Sequence, residues 1–153
     1  MVFIHPMLIK PIGTVHRLSS HENERDLNLT CQIIVKPQLL EGLEGIDGFS
    51  HIYVIFWINR ISRKKRHILQ FQNVQFDRSI GVFATRSPIH PNPIGLTIVE
   101  LVKQDRNVLW VKGLDALDGT PIIDLKPYPD WEQRQLKIIT EVRIPEWLKK
   151  ILI

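Results

Sequence analysis

The chain has 153 residues, 44% hydrophobic and 24% charged, which suits one domain with a buried core and contains no apolar run long enough for a membrane-spanning helix. Its 20 Lys and Arg against 16 Asp and Glu leave a net charge of +4, a mild basic bias compatible with a nucleic-acid partner. One cysteine, Cys31, excludes an intrachain disulfide and a multi-cysteine zinc site, and six scattered histidines without zinc-ligand spacing imply no metal. With no signal-peptide layout at the N-terminus, the expected compartment is a reducing cytoplasm.

Leu8–His16 reads as the first strand, with Pro11 placing it at a start or an edge. Arg17–Asn28 is polar and reads as a loop. Leu29–Lys36 alternates through Leu29, Cys31, Ile33 and Val35, as a half-buried strand does, and Pro37 ends it. Gln38–Leu43 reads as a helical turn and Asp47-Gly48 as a turn before the next strand. His51–Ile58 is almost wholly apolar, β-branched or aromatic, and reads as a central buried strand. Arg60, Arg63, Lys64, Lys65 and Arg66 then fall within seven residues; such a run is either a solvated loop or a phosphate-contacting patch.

Ile80–Thr85 reads as a strand leading into a loop with three prolines, Pro88, Pro91 and Pro93. Each proline fixes its own φ and pushes the preceding residue to an extended conformation, so the loop is stiff. Arg86, Ser87, His90 and Asn92 are the polar groups it holds. Leu96–Lys103 and Val108–Gly113 read as a hairpin joined by residues 104–107. Leu117-Asp118-Gly119-Thr120 is a tight turn, and Thr120–Lys126 a short strand. Its periodicity puts Asp124 and Lys126 on one face and Leu125 on the other; read alone, the pair is a surface ion pair. Leu136–Ile144 alternates again, and Pro145-Glu146-Trp147 opens a terminal helix with Leu148, Ile151 and Leu152 on its apolar face. Seven or more short strands with little helix argue for an all-β barrel or sandwich spanning residues 1–153 as one domain. No G-x-G-x-x-G follows a strand, so the dinucleotide-type nucleotide site is excluded.

Three blocks carry a family likeness: Gly42–His51 (GLEGIDGFSH), Gly81–Gly95 (GVFATRSPIHPNPIG) and Gly113–Tyr128 (GLDALDGTPIIDLKPY). In sequence and order they resemble the TrmO family, also called TsaA-like or YaeB-like proteins, over the span Pro11–Tyr128. The resemblance implies a single-sheeted β-barrel with a few short helices. It implies an S-adenosylmethionine-dependent methyltransferase acting on N6 of threonylcarbamoyladenosine at tRNA position 37. It also implies a homodimer with each cofactor site near the subunit interface. On this alignment residues 1–7 are an N-terminal extension, and the chain stops without the added C-terminal domain of longer relatives.

The resemblance, read with the chemistry, distributes roles. Cofactor binding is expected at Ser50, His51, Arg86, Asn92, Gly95, Leu96, Leu117, Asp118, Gly119 and Thr120. An arginine suits the cofactor carboxylate, and a glycine turn exposes backbone amides. The nucleophilic nitrogen is poor because its lone pair is delocalised, so an acceptor near its N–H helps. Asp124 is expected either to be that acceptor or to hold the cofactor's amino end. Lys126 would hold a substrate carboxylate or phosphate, and Tyr128 would stack on a base. Arg63, Lys64, Lys65, Arg66 and His90 are expected to meet the nucleic acid. His90 replaces the family's usual arginine and so offers fewer donors. Two other readings stay open: a methyltransferase of a small molecule, and a non-catalytic barrel that binds tRNA or senses S-adenosylmethionine.

Overall fold

Period-two alternation along six strands sends one row of side chains inward from each, and the sheet closes on itself around them. The structure is a computed structural model describing residues 8–18, 27–73, 78–129 and 145. Its strands are β1 (Gly13–His16), β2 (Thr30–Val35), β3 (His51–Trp57), β4 (Gln70–Asn73), β5 (Arg78–Gly81), β6 (Ile94–Asp105), β7 (Val108–Lys112) and β8 (Pro121–Pro127). Strands β1-β2-β7-β6-β3-β8 form a closed barrel in that order, and β8 returns to β1. All pairings are antiparallel. β4 and β5 form a separate hairpin.

Every barrel strand contributes to one core: Val15 from β1, Cys31, Ile33 and Val35 from β2, Ile52, Val54 and Phe56 from β3, Val99 and Leu101 from β6, Leu109 and Val111 from β7, and Ile122 from β8. Leu43, Leu114 and Ala116 join them from the connections. Full burial of each large aliphatic side chain is worth about 1.5–3 kcal/mol, so closure is driven by this shared interior. Burial pushes the Cys31 thiol up, with the Arg17 charge pulling it partly back, as befits a core cysteine rather than a reactive one.

The expected all-β barrel is what the chain forms, with differences at its edges. β1 begins at Gly13 rather than Leu8, because pairing with β2 and β8 starts there. β3 is not buried on both faces: in a barrel only the inward row is, and Tyr53, Ile55 and Trp57 stand half-buried on the outside. The expected strand Ile80–Thr85 stops at Gly81, the last residue paired with β4, and Val82–Ala84 is a 3-10 turn. β4 itself went unread, lying in a short segment without clear alternation. The β6–β7 hairpin is tighter than expected, with Arg106-Asn107 at its tip and Arg106 in the left-handed region at φ 52°. Asn107 donates from Nδ2 to the Val35 carbonyl at 2.6 Å, tying the tip to β2. Among the described residues the short helices are 3-10 turns: Pro37–Leu43, Ile46–Gly48, Arg63–His67 and Val82–Ala84. The expected strand Leu136–Ile144 and the apolar face of the expected terminal helix lie outside the described residues.

Gly95 is where the barrel wall has no room. A Cβ there would overlap the ring of Phe56, a core side chain on the neighbouring strand. Gly95→Ala is therefore expected to lower stability by about 1–3 kcal/mol through overpacking, measured as a shift in the urea midpoint; an unchanged midpoint would show that the Phe56 ring has somewhere to go.

Candidate functional site

The stiff loop is built by its own hydrogen bonds before it meets anything else. Thr85 Oγ1 donates to the Val82 carbonyl at 2.8 Å, and the amide of Ser87 donates to Thr85 Oγ1 at 3.3 Å. The Ile89 amide donates to Ser87 Oγ at 3.2 Å. Pro93 is buried, and its carbonyl accepts from the Ile58 amide at 2.8 Å, which anchors the loop to the end of β3. Arg86 reaches across to β6 and donates to the Leu96 carbonyl at 2.9 Å.

Facing this loop is the segment between β7 and β8, held by a side chain from near the other end of the chain. Arg17 donates from Nε to the Ala116 carbonyl at 2.9 Å and from Nη2 to the Leu114 carbonyl at 2.6 Å. Its backbone amide donates to Asp118 Oδ1 at 2.8 Å, and His16 Nδ1 lies 3.6 Å from the same oxygen. Gly113 and Gly119 occupy the left-handed region at φ 91° and 72°, which lets the segment turn twice. The Asp118 side chain therefore faces β1 and holds the turn.

Between loop and segment lies a cleft of ≈ 390 Å³, within the range of small-molecule sites. Phe56, Ile58, Ile94, Leu96 and Leu117 supply its apolar lining, and Arg60, Arg86, His90 and Asp115 its charged or polar groups. Gly95 and Thr120 also line it. Of the expected cofactor residues, Arg86, Gly95, Leu96, Leu117 and Thr120 thus come together. Asn92, Asp118 and Gly119 shape the walls without lining the cleft. Arg60, Asp115 and Phe56 were not among the expected site residues. Arg60 donates to the Asp118 carbonyl at 3.3 Å, but in the sequence it reads only as one more charge in a basic run.

Ser50 and His51 lie elsewhere. His51 begins β3 and Ser50 precedes it, whereas the cleft meets β3 at Phe56, about 17 Å along the strand from His51. Ser50 Oγ and His51 Nδ1 are 3.0 Å apart, and the His51 carbonyl accepts from the Tyr128 amide at 3.0 Å. The Tyr53 and Tyr128 rings meet edge to face at 5.4 Å. Asp124 Oδ2 sits 2.8 Å from Lys126 Nζ, and Asp124 Oδ1 accepts from the Leu125 amide at 2.9 Å. The opposed faces expected from periodicity are present, since Leu125 packs against the core. Tyr53 was missed, although its period-two spacing from His51 marks it as sharing that outer face. The two clusters are neighbours on one sheet: Asp124 pairs with Ile55, and Ile55 with Leu96, so Asp124 stands about 10 Å from the cleft-lining Leu96.

The basic run divides. Arg63, Lys64 and Lys65 are exposed. Arg66 instead folds back, with its guanidinium 5.4 Å from the Trp57 ring centroid and Nη2 donating to the Ile61 carbonyl at 3.1 Å. Its Nε is buried without a hydrogen-bond partner. Arg66 is thus part of the scaffold, held by cation–π attraction, and not an open phosphate contact as expected.

Arg17 is the most consequential residue that the sequence reading passed over. Arg17→Lys removes the planar fork and Arg17→Ala both bonds; the alanine variant is expected to lose roughly 2–4 kcal/mol of stability, with lysine restoring less than half of it. Urea unfolding checks this, and full rescue by lysine would show that charge alone holds the segment.

Comparison with known proteins places this geometry. Residues 21–131 match the family described as the tRNA-methyltransferase O N-terminal domain. An S-adenosyl-L-methionine-binding protein of Archaeoglobus fulgidus is 39% identical over 127 residues, covering 80% of this chain and 89% of that protein. A tRNA (adenine(37)-N6)-methyltransferase of Mus musculus is 36% identical over 122 residues, covering 76% of this chain and 27% of that protein. The crystal structure of TrmO from Pseudomonas aeruginosa is similar with a TM-score of 0.67 at 26% identity, over 91% of this chain and 62% of that one. The chain thus spans about a quarter of the mouse protein and less than two thirds of the bacterial one. With a matched region of that length, a barrel of that shape and a stiff signature loop on its cleft, this chain belongs to the tRNA-methyltransferase O (TrmO) family.

Proposed function

We propose that this chain is an S-adenosylmethionine-dependent methyltransferase that modifies N6 of adenosine 37 in tRNA, with the threonylcarbamoylated nucleoside as its substrate, and that it works in the cytoplasm. The observation that carries the reading is that the second and third signature blocks, distant in sequence, form the two walls of one cleft. The names of the archaeal and mouse relatives support the donor and the target base.

The cleft suits the donor. Arg60 and Arg86 offer guanidinium donors to a carboxylate, Asp115 offers an acceptor to an ammonium, and the apolar lining accommodates a purine. When bound, S-adenosylmethionine supplies an electrophilic methyl group. What remains for the protein is to orient the adenosine and take up the proton that N6 loses. Asp124 is the acceptor we assign, with Lys126 holding it in place and binding a substrate anion. Both Asp124 oxygens are engaged in the free protein, so accepting the N6 proton means exchanging one of those partners. Tyr128 and Tyr53 present rings on the same face for the base.

The face between the clusters supports a homodimer. Ile94, Leu96 and Ile98 are 45%, 44% and 45% exposed and pair with Trp57, Ile55 and Tyr53. Contiguous exposed apolar surface of this kind marks an interface. A two-fold axis through it would bring the Ser50–His51 end of one copy towards the cleft end of the other, since an isologous interface apposes opposite ends of one patch. Ile98→Glu is expected to yield monomers in sedimentation velocity at micromolar concentration, with the wild type dimeric; a monomeric wild type removes the dimer from this reading.

Transfer of labelled methyl from S-adenosylmethionine to two tRNA pools, one carrying threonylcarbamoyladenosine and one lacking it, tests the function. Label in the first alone is the expected result. Label in both would overturn the modified-base specificity, and label in neither the tRNA substrate. Asp124→Ala is expected to lower kcat by about 10²–10⁴ with cofactor affinity retained; near-normal turnover would end its assignment as the acceptor.

A further inference from the structure

Phe83 is 79% exposed, the most exposed aromatic side chain among the described residues whose exposure is high. Its neighbour Val82 is buried, and the Val82 amide donates to the Leu69 carbonyl at 2.9 Å. The 3-10 turn is therefore anchored on one side and presents Phe83 outward on the other. The ring does not hang free. It meets the His90 imidazole edge to face, with centroids 5.9 Å apart and planes at 70°, and His90 lines the cleft. His90 belongs to the proline-stiffened loop and Phe83 to the anchored 3-10 turn that leads into it, so the pair is ordered before any ligand arrives.

We propose that Phe83, backed by His90, is a stacking platform for an unpaired RNA base flanking the adenosine to be methylated. This rests on the tRNA reading above and adds to it a site for a second nucleotide outside the cleft. The surroundings select the occupant. Arg63, Lys64 and Lys65 stand exposed on the 3-10 turn that leads into Ile68 and Leu69, the segment on which Val82 is anchored. Exposed cations around an exposed aromatic ring are the combination that binds single-stranded nucleic acid, where bases stack and the phosphates are neutralised. A second copy of this chain would bring like charges to like charges here, and the larger apolar surface for self-association lies on β3 and β6. The anticodon loop places unpaired bases on either side of position 37, so a base beside the target is available to leave its stack.

The test uses the full chain with Phe83→Ala and Phe83→Trp. Four quantities are measured: KM for threonylcarbamoylated tRNA, affinity for S-adenosylmethionine, oligomeric state, and fluorescence of an anticodon stem-loop with 2-aminopurine next to the target adenosine. The alanine variant is expected to raise KM for tRNA roughly tenfold to a hundredfold, leave cofactor affinity and assembly unchanged, and abolish the fluorescence change seen on binding the wild type. The tryptophan variant is expected to restore both. Unchanged KM in the alanine variant overturns the platform, as does a loss that comes with monomerisation or with an equal loss of cofactor affinity. If the wild type changes the fluorescence but transfers no methyl, the methyltransferase reading falls and the platform stands; if it does neither, both fall.

Discussion

The barrel closes on a short seam, and both halves of the candidate site hang from it. β1 and β8 share only two paired positions, Gly13 with Ile122 and Thr14 with Pro121. Hydrogen bonds beyond the ladder extend the seam: Ile12 donates to the Ile122 carbonyl at 2.8 Å, Val15 to the Thr120 carbonyl and Gly119 to the Val15 carbonyl, both at 2.9 Å. Arg17 completes it by gripping the carbonyls of Leu114 and Ala116. Without this join the sheet would have two open edges, and the far wall of the cleft would have nothing to lie against. Gly13 makes the neighbouring contact possible, since a Cβ there would overlap the Ile34 carbonyl of β2.

On this frame the polar chemistry is arranged by strand register. β8 sets Asp124 and Lys126 beside Ile55 and Tyr53 of β3, and β3 sets those beside Leu96 and Ile98 of β6. The result is one outer face with an exposed ion pair and two tyrosines towards one end, a mixed cleft at the other, and apolar surface between. An exposed ion pair contributes little to stability, which leaves Asp124 and Lys126 free to exchange partners. The cleft wall is the opposite case: buried Pro93, the loop's internal hydrogen bonds and the Arg17 fork all hold it still, as a site that orients a ligand requires.

Much of this was legible. Alternation found β2, since a half-buried strand must repeat every two residues; an apolar, β-branched and aromatic run found β3, and a short polar connection between two apolar runs found the β6–β7 hairpin. The prolines announced a stiff loop, and period two put Asp124 opposite Leu125. Where reading failed, local signals were absent or misleading. The run Ile80–Thr85 looks like a strand throughout, yet it ends at Gly81 because no partner strand continues. Gly95 lines the cleft, but that its missing side chain also leaves room for the ring of Phe56 on the neighbouring strand is no local signal.

The sequence by itself therefore determined the main strands of the barrel, where the chain is stiff and which blocks carry the family signature, because each depends on residues within a few positions of one another. Only the tertiary structure decided what each polar side chain does. Arg17 meets carbonyls almost a hundred residues away, Asp118 turns to β1 instead of the cleft, Arg66 lies on Trp57 while its neighbours face solvent, and Phe83 stands out against His90. Those partners are chosen by the register and closure of the barrel, and a one-residue shift in either would change them all.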